Sequence, residues 1–118
     1  MRILDVDQIS SAEGAELTGH LIAGEIVHVA FRSEGAAILF TDRRILVTRR
    51  EVLLAEKVET SSFPYRAVQH FSIQESADGA SRAAVRIWLG AEPQPLHLRA
   101  NPGTDLLALQ RLLAGNLS

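Results

Sequence analysis

The sequence predicts a mainly β, α+β fold: about seven antiparallel strands capped by a C-terminal α-helix, with a short helix near the N-terminus. Three observations carry that expectation. Short runs of β-branched and large apolar residues recur along the chain, separated by polar or Gly/Pro breaks. The stretch Ala36 to Arg50 places two such runs on either side of Thr41-Asp42-Arg43, the pattern of a hairpin with a tight polar turn. Leu106, Leu109, Leu113 and Leu117 repeat at three- and four-residue steps with Leu112 widening the stripe, the signature of an amphipathic helix.

The elements follow in order. Ser10 to Glu13 has the Ser-x-x-Glu spacing of a capping box, which opens a helix near residues 12–22 despite Gly14 and Gly19; Gly24 is its stop. Residues 1–9 are short and mixed. Glu25 to Phe31 reads as a first strand, with Val27, Val29 and Phe31 on one face. Ser33-Glu34-Gly35 turns the chain into the central hairpin. A further strand is expected over Val52 to Thr60, broken by Ser61-Ser62-Phe63-Pro64 because proline has no amide to give a ladder. Tyr65 to Glu75 resumes extended structure, and Asp78-Gly79 joins it to Ser81–Leu89 as a hairpin. After Pro93 and Pro95, Leu96 and Leu98 alternate with His97 and Arg99. Asn101 as N-cap and Pro102 at the first helical position then predict a helix over residues 102–114.

Length and composition narrow the function. At 118 residues the chain is expected to form one domain over residues 1–118, burying roughly two-thirds of its unfolded surface. A net charge of −2 gives no global attraction to nucleic acid or anionic lipid. With no cysteine there is no disulfide, thiolate nucleophile or cysteine metal site. Asp5 and Asp7 interrupt the only apolar stretch near the N-terminus, so no secretory leader is read and the expected location is cytoplasmic. His20, His28, His70 and His97 are scattered without metal-ligand spacing, and no P-loop, nucleophile elbow or dinucleotide fingerprint occurs. No enzymatic activity, cofactor or metal is expected.

Two groups of residues stand out. Arg43, Arg44, Arg49 and Arg50 present guanidinium forks suited to phosphate or an acidic partner. Asp42, Glu51 and Glu56 lie close by, and the competing reading is a solvated hairpin edge with local ion pairs. The central hairpin is apolar on both faces: Leu39 and Leu46 oppose the faces carrying Ile38, Phe40, Ile45 and Val47. Trp88 likewise opposes Val85, Ile87 and Leu89. Large exposed apolar patches mark association, so Leu39, Leu46 and Trp88 form the expected oligomer interface. Coverage by a terminal helix is the rival explanation for the leucines.

Particular words of the sequence carry a family likeness. Ile38-Leu39-Phe40-Thr41-Asp42-Arg43-Arg44-Ile45-Leu46 resembles the Phe-Thr-(Asp/Asn)-(Lys/Arg)-Arg hairpin of the small bacterial pleckstrin-homology (PH) domain family. Phe63-Pro64-Tyr65-Arg66-Ala67-Val68-Gln69-His70-Phe71-Ser72-Ile73 is similar to that family's Pro-Tyr-Arg-x-Ile-x-x-Phe-Ser signature. Gly24-Glu25 and the leucine-rich tail match as well, so the likeness spans residues 15–117. The chain departs from the family at 78–84, where an acidic stretch is reduced to Asp78. The resemblance implies a bent barrel with the helix plugging one end, no established enzymatic activity, and ring-like homo-oligomers. The reading is therefore a non-enzymatic binding or scaffolding module that self-associates. The alternative is a peripheral membrane or anionic-ligand-binding adaptor using the arginine-bearing hairpin. Specific phosphoinositide binding is not expected, because Arg32 is followed by Glu34 and apolar Ala36 to Leu39.

Overall fold

A computed structural model describes residues 3–51, 57–90 and 92–116. Among them are eight strands and two α-helices: β1 (Ile3–Ile9), α1 (Ser11–Glu16), β2 (Val27–Ser33), β3 (Ala36–Thr41), β4 (Arg44–Glu51), β5 (Lys57–Pro64), β6 (Val68–Gln74), β7 (Ala83–Leu89), β8 (Leu96–Ala100) and α2 (Leu106–Gly115). The chain divides into two compact units, residues 8–64 and residues 1–7 with 65–118.

In the unit of residues 8–64, β2, β3, β4 and β5 form an antiparallel meander. Cross-strand rows set its two faces. Phe31, Ile38 and Val47 share one row, and Val29, Phe40 and Ile45 another; Phe31 and Phe40 meet edge to face at 6.0 Å. All six are buried. The opposite face carries Ala30, Leu39 and Leu46 in one row, and α1 packs over β2 and β3. Val27, Ala30, Ala37, Leu39 and Leu46 form a core cluster with Ile9, Ala15 and Leu21 against it.

The serine half of the capping box forms: the Ser10 hydroxyl accepts a hydrogen bond from the Glu13 amide at 3.1 Å and donates to the Glu13 carboxylate at 3.4 Å. The helix is shorter than the expected 12–22, ending at a C-cap at Leu17. Gly14, which weakens a helix by its freedom, is there for contact. A Cβ at Gly14 would stand 2.5 Å from the Ala30 Cβ, so only glycine lets α1 lie this close to the sheet.

In the other unit, β6, β7 and β8 are antiparallel neighbours and β1 adds to β8 in parallel, Ile3 beside His97 and Val6 beside Ala100. The strand β1 was not legible as one in the mixed residues 1–9, and it raises the expected seven strands to eight. β7 alternates strictly, with Ala83, Val85, Ile87 and Leu89 buried and Ala84, Arg86 and Trp88 half-buried. α2 packs against β6 and buries Leu109 and Leu113.

Three boundaries differ from expectation. β5 runs through Ser61-Ser62-Phe63 and ends on Pro64, so the proline closes the strand instead of preceding a break; the expected residues 52–56 lie outside the described residues. Tyr65–Ala67 form a single 3-10 turn before β6. Asp105, not Asn101, caps α2, its carboxylate accepting from the Ala108 amide at 3.0 Å. Asn101 and Pro102 instead begin a turn with Gly103 at φ +89°, in which the Thr104 hydroxyl bonds back to Asn101. Leu117 lies outside the described residues.

Candidate functional site

The densest polar constellation in the described residues lies at one end of the β2–β3–β4 meander, where the segment before β2 meets the β3–β4 turn, and the sequence places it in two separate words. Glu25 precedes β2; Thr41, Asp42, Arg43 and Arg44 make the β3–β4 turn. Arg44 grips Glu25 with two parallel bonds, Nε to Oε2 and Nη2 to Oε1, each 2.9 Å. The Thr41 hydroxyl donates to Glu25 Oε2 at 2.6 Å and accepts from the Arg43 and Arg44 amides at 3.1 and 3.0 Å. The Ile22 amide donates to Glu25 Oε1, and Arg44 also donates to the His20 carbonyl and the Ser62 hydroxyl. Asp42 closes the other side, its carboxylate accepting from the Ile26 amide and its own amide donating to the Ile26 carbonyl, both at 2.9 Å.

The Glu25 side chain is wholly inaccessible to solvent. The bonded Arg44 guanidinium holds its carboxyl down at about 2 against the opposing effect of burial, with help from the Thr41 hydroxyl and the Ile22 amide. A carboxylate so saturated has no lone pair left for substrate or metal. This is a clasp: it ties the segment after α1 to the hairpin, and it explains why Gly24-Glu25 and Phe-Thr-Asp-Arg-Arg occur together in one chain.

The arginines expected to act together are thereby separated. Arg44 is bound into the clasp, whereas Arg43 is half exposed beside Asp42 at 4.0 Å. Arg49 stands opposite Glu59 and Arg50 opposite Val58 across β4–β5, at the far end of the strand. The expected interface also has to be corrected. Leu39 and Leu46 are 0% and 1% exposed, because α1 and the segment through Leu21 cover them; they face the chain's own helix and offer nothing to a second copy.

Trp88 has the opposite fate. It is half-buried on the outer face of β7 and stacks on the exposed His70 of β6, ring centroids 4.1 Å apart and planes 16° from parallel. The pairing depends on a register shift between Val68 and His70 that turns His70 toward Trp88. Sequence inspection singles out the tryptophan but not its histidine, since the shift has no local sign in the residues. The same face continues through Arg86 beside Ser72 and His97, and Ile3 beside His97; Ile3 is 52% exposed. Asp5 and Arg99 form a two-bond ion pair at its margin, and Arg99 holds the Asp5 carboxyl below its usual range. His97 Nε2 is buried with no hydrogen-bond partner among the described residues; burial, then Arg86 and Arg99, push its imidazole toward the neutral form.

A model of the bacterial PH domain matches residues 3–117. The chain belongs to the bacterial PH domain family. Over 97% of its length it superposes on 98% of a pleckstrin-homology protein from Shewanella loihica PV-4, with a TM-score of 0.77 and 23% identity. A pleckstrin homology domain from Shewanella amazonensis SB2B covers 90% of the chain and 96% of itself, TM-score 0.66 and 24% identity. The fold is accordingly PH-like: mostly β, with a short helix and a C-terminal helix. The uncharacterized protein YjqA of Bacillus subtilis (strain 168) is 27% identical over 106 residues, which are 89% of this chain and 85% of that protein. Among the described residues no helix is long and apolar enough to cross a membrane.

Proposed function

We propose that this bacterial PH domain is a non-enzymatic, cytoplasmic binding module that self-associates, and that the outer face around Trp88 is its contact. One observation carries the reading: the half-buried Trp88 ring stacks flat on the exposed His70 ring on the outer face of β6 and β7. Tryptophan supplies a large apolar area with little rotamer entropy to lose, which suits it to the centre of an interface. Arg86 and His97 border the rings, and the exposed Ile3 lies beyond His97 on the same face, a mix of apolar and polar groups found at association surfaces. With Leu39 and Leu46 covered, the contact falls to this face.

Light scattering across a dilution series tests it. The parent is expected to exceed the 12.9 kDa of one chain, and Trp88→Ala to fall toward that mass while keeping its far-UV circular dichroism. Trp88 is the sole tryptophan, so its fluorescence should shift with concentration in step with the mass. A parent that stays at 12.9 kDa at high concentration would overturn the proposal.

A further inference from the structure

On the α1 side of the β2–β5 meander, the sheet emerges from under the helix and leaves an open cleft. Its volume is about 330 Å³, and it is lined by residues including Leu17, Arg32, Ser33, Thr48, Arg50 and Val58. The floor exists because the side chains there are small. Arg32 faces Ala37 and Ala37 faces Thr48 across the strands, so the centre of this row holds only an alanine and a threonine. In the neighbouring row the equivalent positions are Leu39 and Leu46, which fill the space under α1. α1 ends at a C-cap at Leu17, which is itself part of the cleft's lining. A concavity therefore follows from two features together, small floor residues and a short helix.

The walls have two characters. Leu17 and Val58 are 42% and 58% exposed and give the cleft apolar walls. Arg32 is exposed and, among the described residues, makes no ion pair; Arg50 adds a second guanidinium to the lining. Cationic forks beside apolar walls recognise one kind of molecule, an anionic group attached to an apolar chain. The volume lies at the small end of ligand sites, which limits the occupant to a short chain.

We propose that the cleft between Arg32, Arg50, Leu17 and Val58 binds a small amphipathic anion, a carboxylate or phosphate carried on a short apolar chain. This is independent of self-association, since Trp88 lies in the other unit. Arg32 supplies the charge-assisted bond that fixes the anion, and Leu17 and Val58 hold the chain. Of the four arginines the hairpin suggests, Arg43, Arg44, Arg49 and Arg50, only Arg50 lines the cleft, and Arg32 of β2 joins it.

Calorimetric titrations with octanoate, octyl phosphate, octanol and inorganic phosphate test the assignment, alongside vesicles of phosphatidylcholine with and without phosphatidylserine. At least one octyl anion should bind saturably, with octanol and inorganic phosphate at least about tenfold weaker. Arg32→Gln should weaken the octyl anion by about tenfold or more, Arg32→Lys by less, and the urea midpoint of both variants should match the parent's. Arg32-dependent binding to the anionic vesicles as well assigns the group to a lipid; binding of the free octyl anion alone assigns it to a soluble ligand. The inference is overturned if neither octyl anion binds, if Arg32→Gln binds like the parent, or if vesicles bind and both octyl anions fail.

Discussion

The two units use the same material, a twisted antiparallel sheet, and treat its second face in opposite ways. In residues 8–64 the sheet is apolar on both sides, and the chain supplies its own cover: α1 lies over Ala30, Leu39 and Leu46, brought close by Gly14. In the unit with β6, β7 and β8, β7 and β8 alternate, and the outer positions hold His70, Arg86, Trp88 and His97, exposed or half-buried. The same observation in the sequence, a large apolar residue on the outward face of a strand, therefore has two meanings. Where outward apolar residues occur in adjacent strands and a short capped helix precedes them, they mark an internal core. A lone aromatic among polar neighbours marks an open surface.

Substitutions can break this contrast, beginning with the largest effect. Leu46→Asp would bury a carboxylate with no partner under α1, a cost of at least several kcal/mol, and the protein is expected to lose its cooperative unfolding transition. Leu109→Ala should cost about 2–5 kcal/mol by lost transfer energy and the cavity left beneath α2, read as a lower denaturant midpoint. A variant melting like the parent would make α2 peripheral to the fold.

Glu25→Gln probes the clasp and comes next. With its folded-state pKa near 2 against an ordinary 4.5, Glu25 contributes stability that is fully present above pH 4.5 and is lost as pH falls toward 2. The size is about 3 kcal/mol by linkage. Acid titration of the unfolding free energy should show this loss in the parent and a shallower slope over the same window in Glu25→Gln. Equal slopes would mean that the ion pair contributes nothing to pH dependence.

Much of this was legible from local chemistry, and the rest was not for a physical reason in each case. The capping box, the Thr41-Asp42-Arg43 turn, the Asp78-Gly79 turn and the leucine stripe each depend on contacts within a few residues, and they stand near where the spacing puts them. β1 was missed because it alternates Ile3, Asp5 and Asp7 with Leu4 and Val6 and is held by β8, some ninety residues away. α2 starts later than Asn101-Pro102 suggests because a turn through Gly103 satisfies that segment and Asp105 then caps the helix. The Glu25–Arg44 bond joins residues nineteen apart, so the chain shows both words without showing that they touch. Arg32 passed unremarked as a site residue because its value depends on Ala37 and Thr48 being small across the sheet.

Leu46 and Trp88, both outward on their strands, differ in what covers them. Urea unfolding of Trp88→Asp beside Leu46→Asp tests it most directly, followed by circular dichroism at a protein concentration low enough to keep every variant monomeric. Trp88→Asp should retain a cooperative transition and lose about 1 kcal/mol or less, the value of its stack on His70, while Leu46→Asp loses most of its stability. Equal losses in the two variants, or a larger loss at Trp88, would contradict the claim.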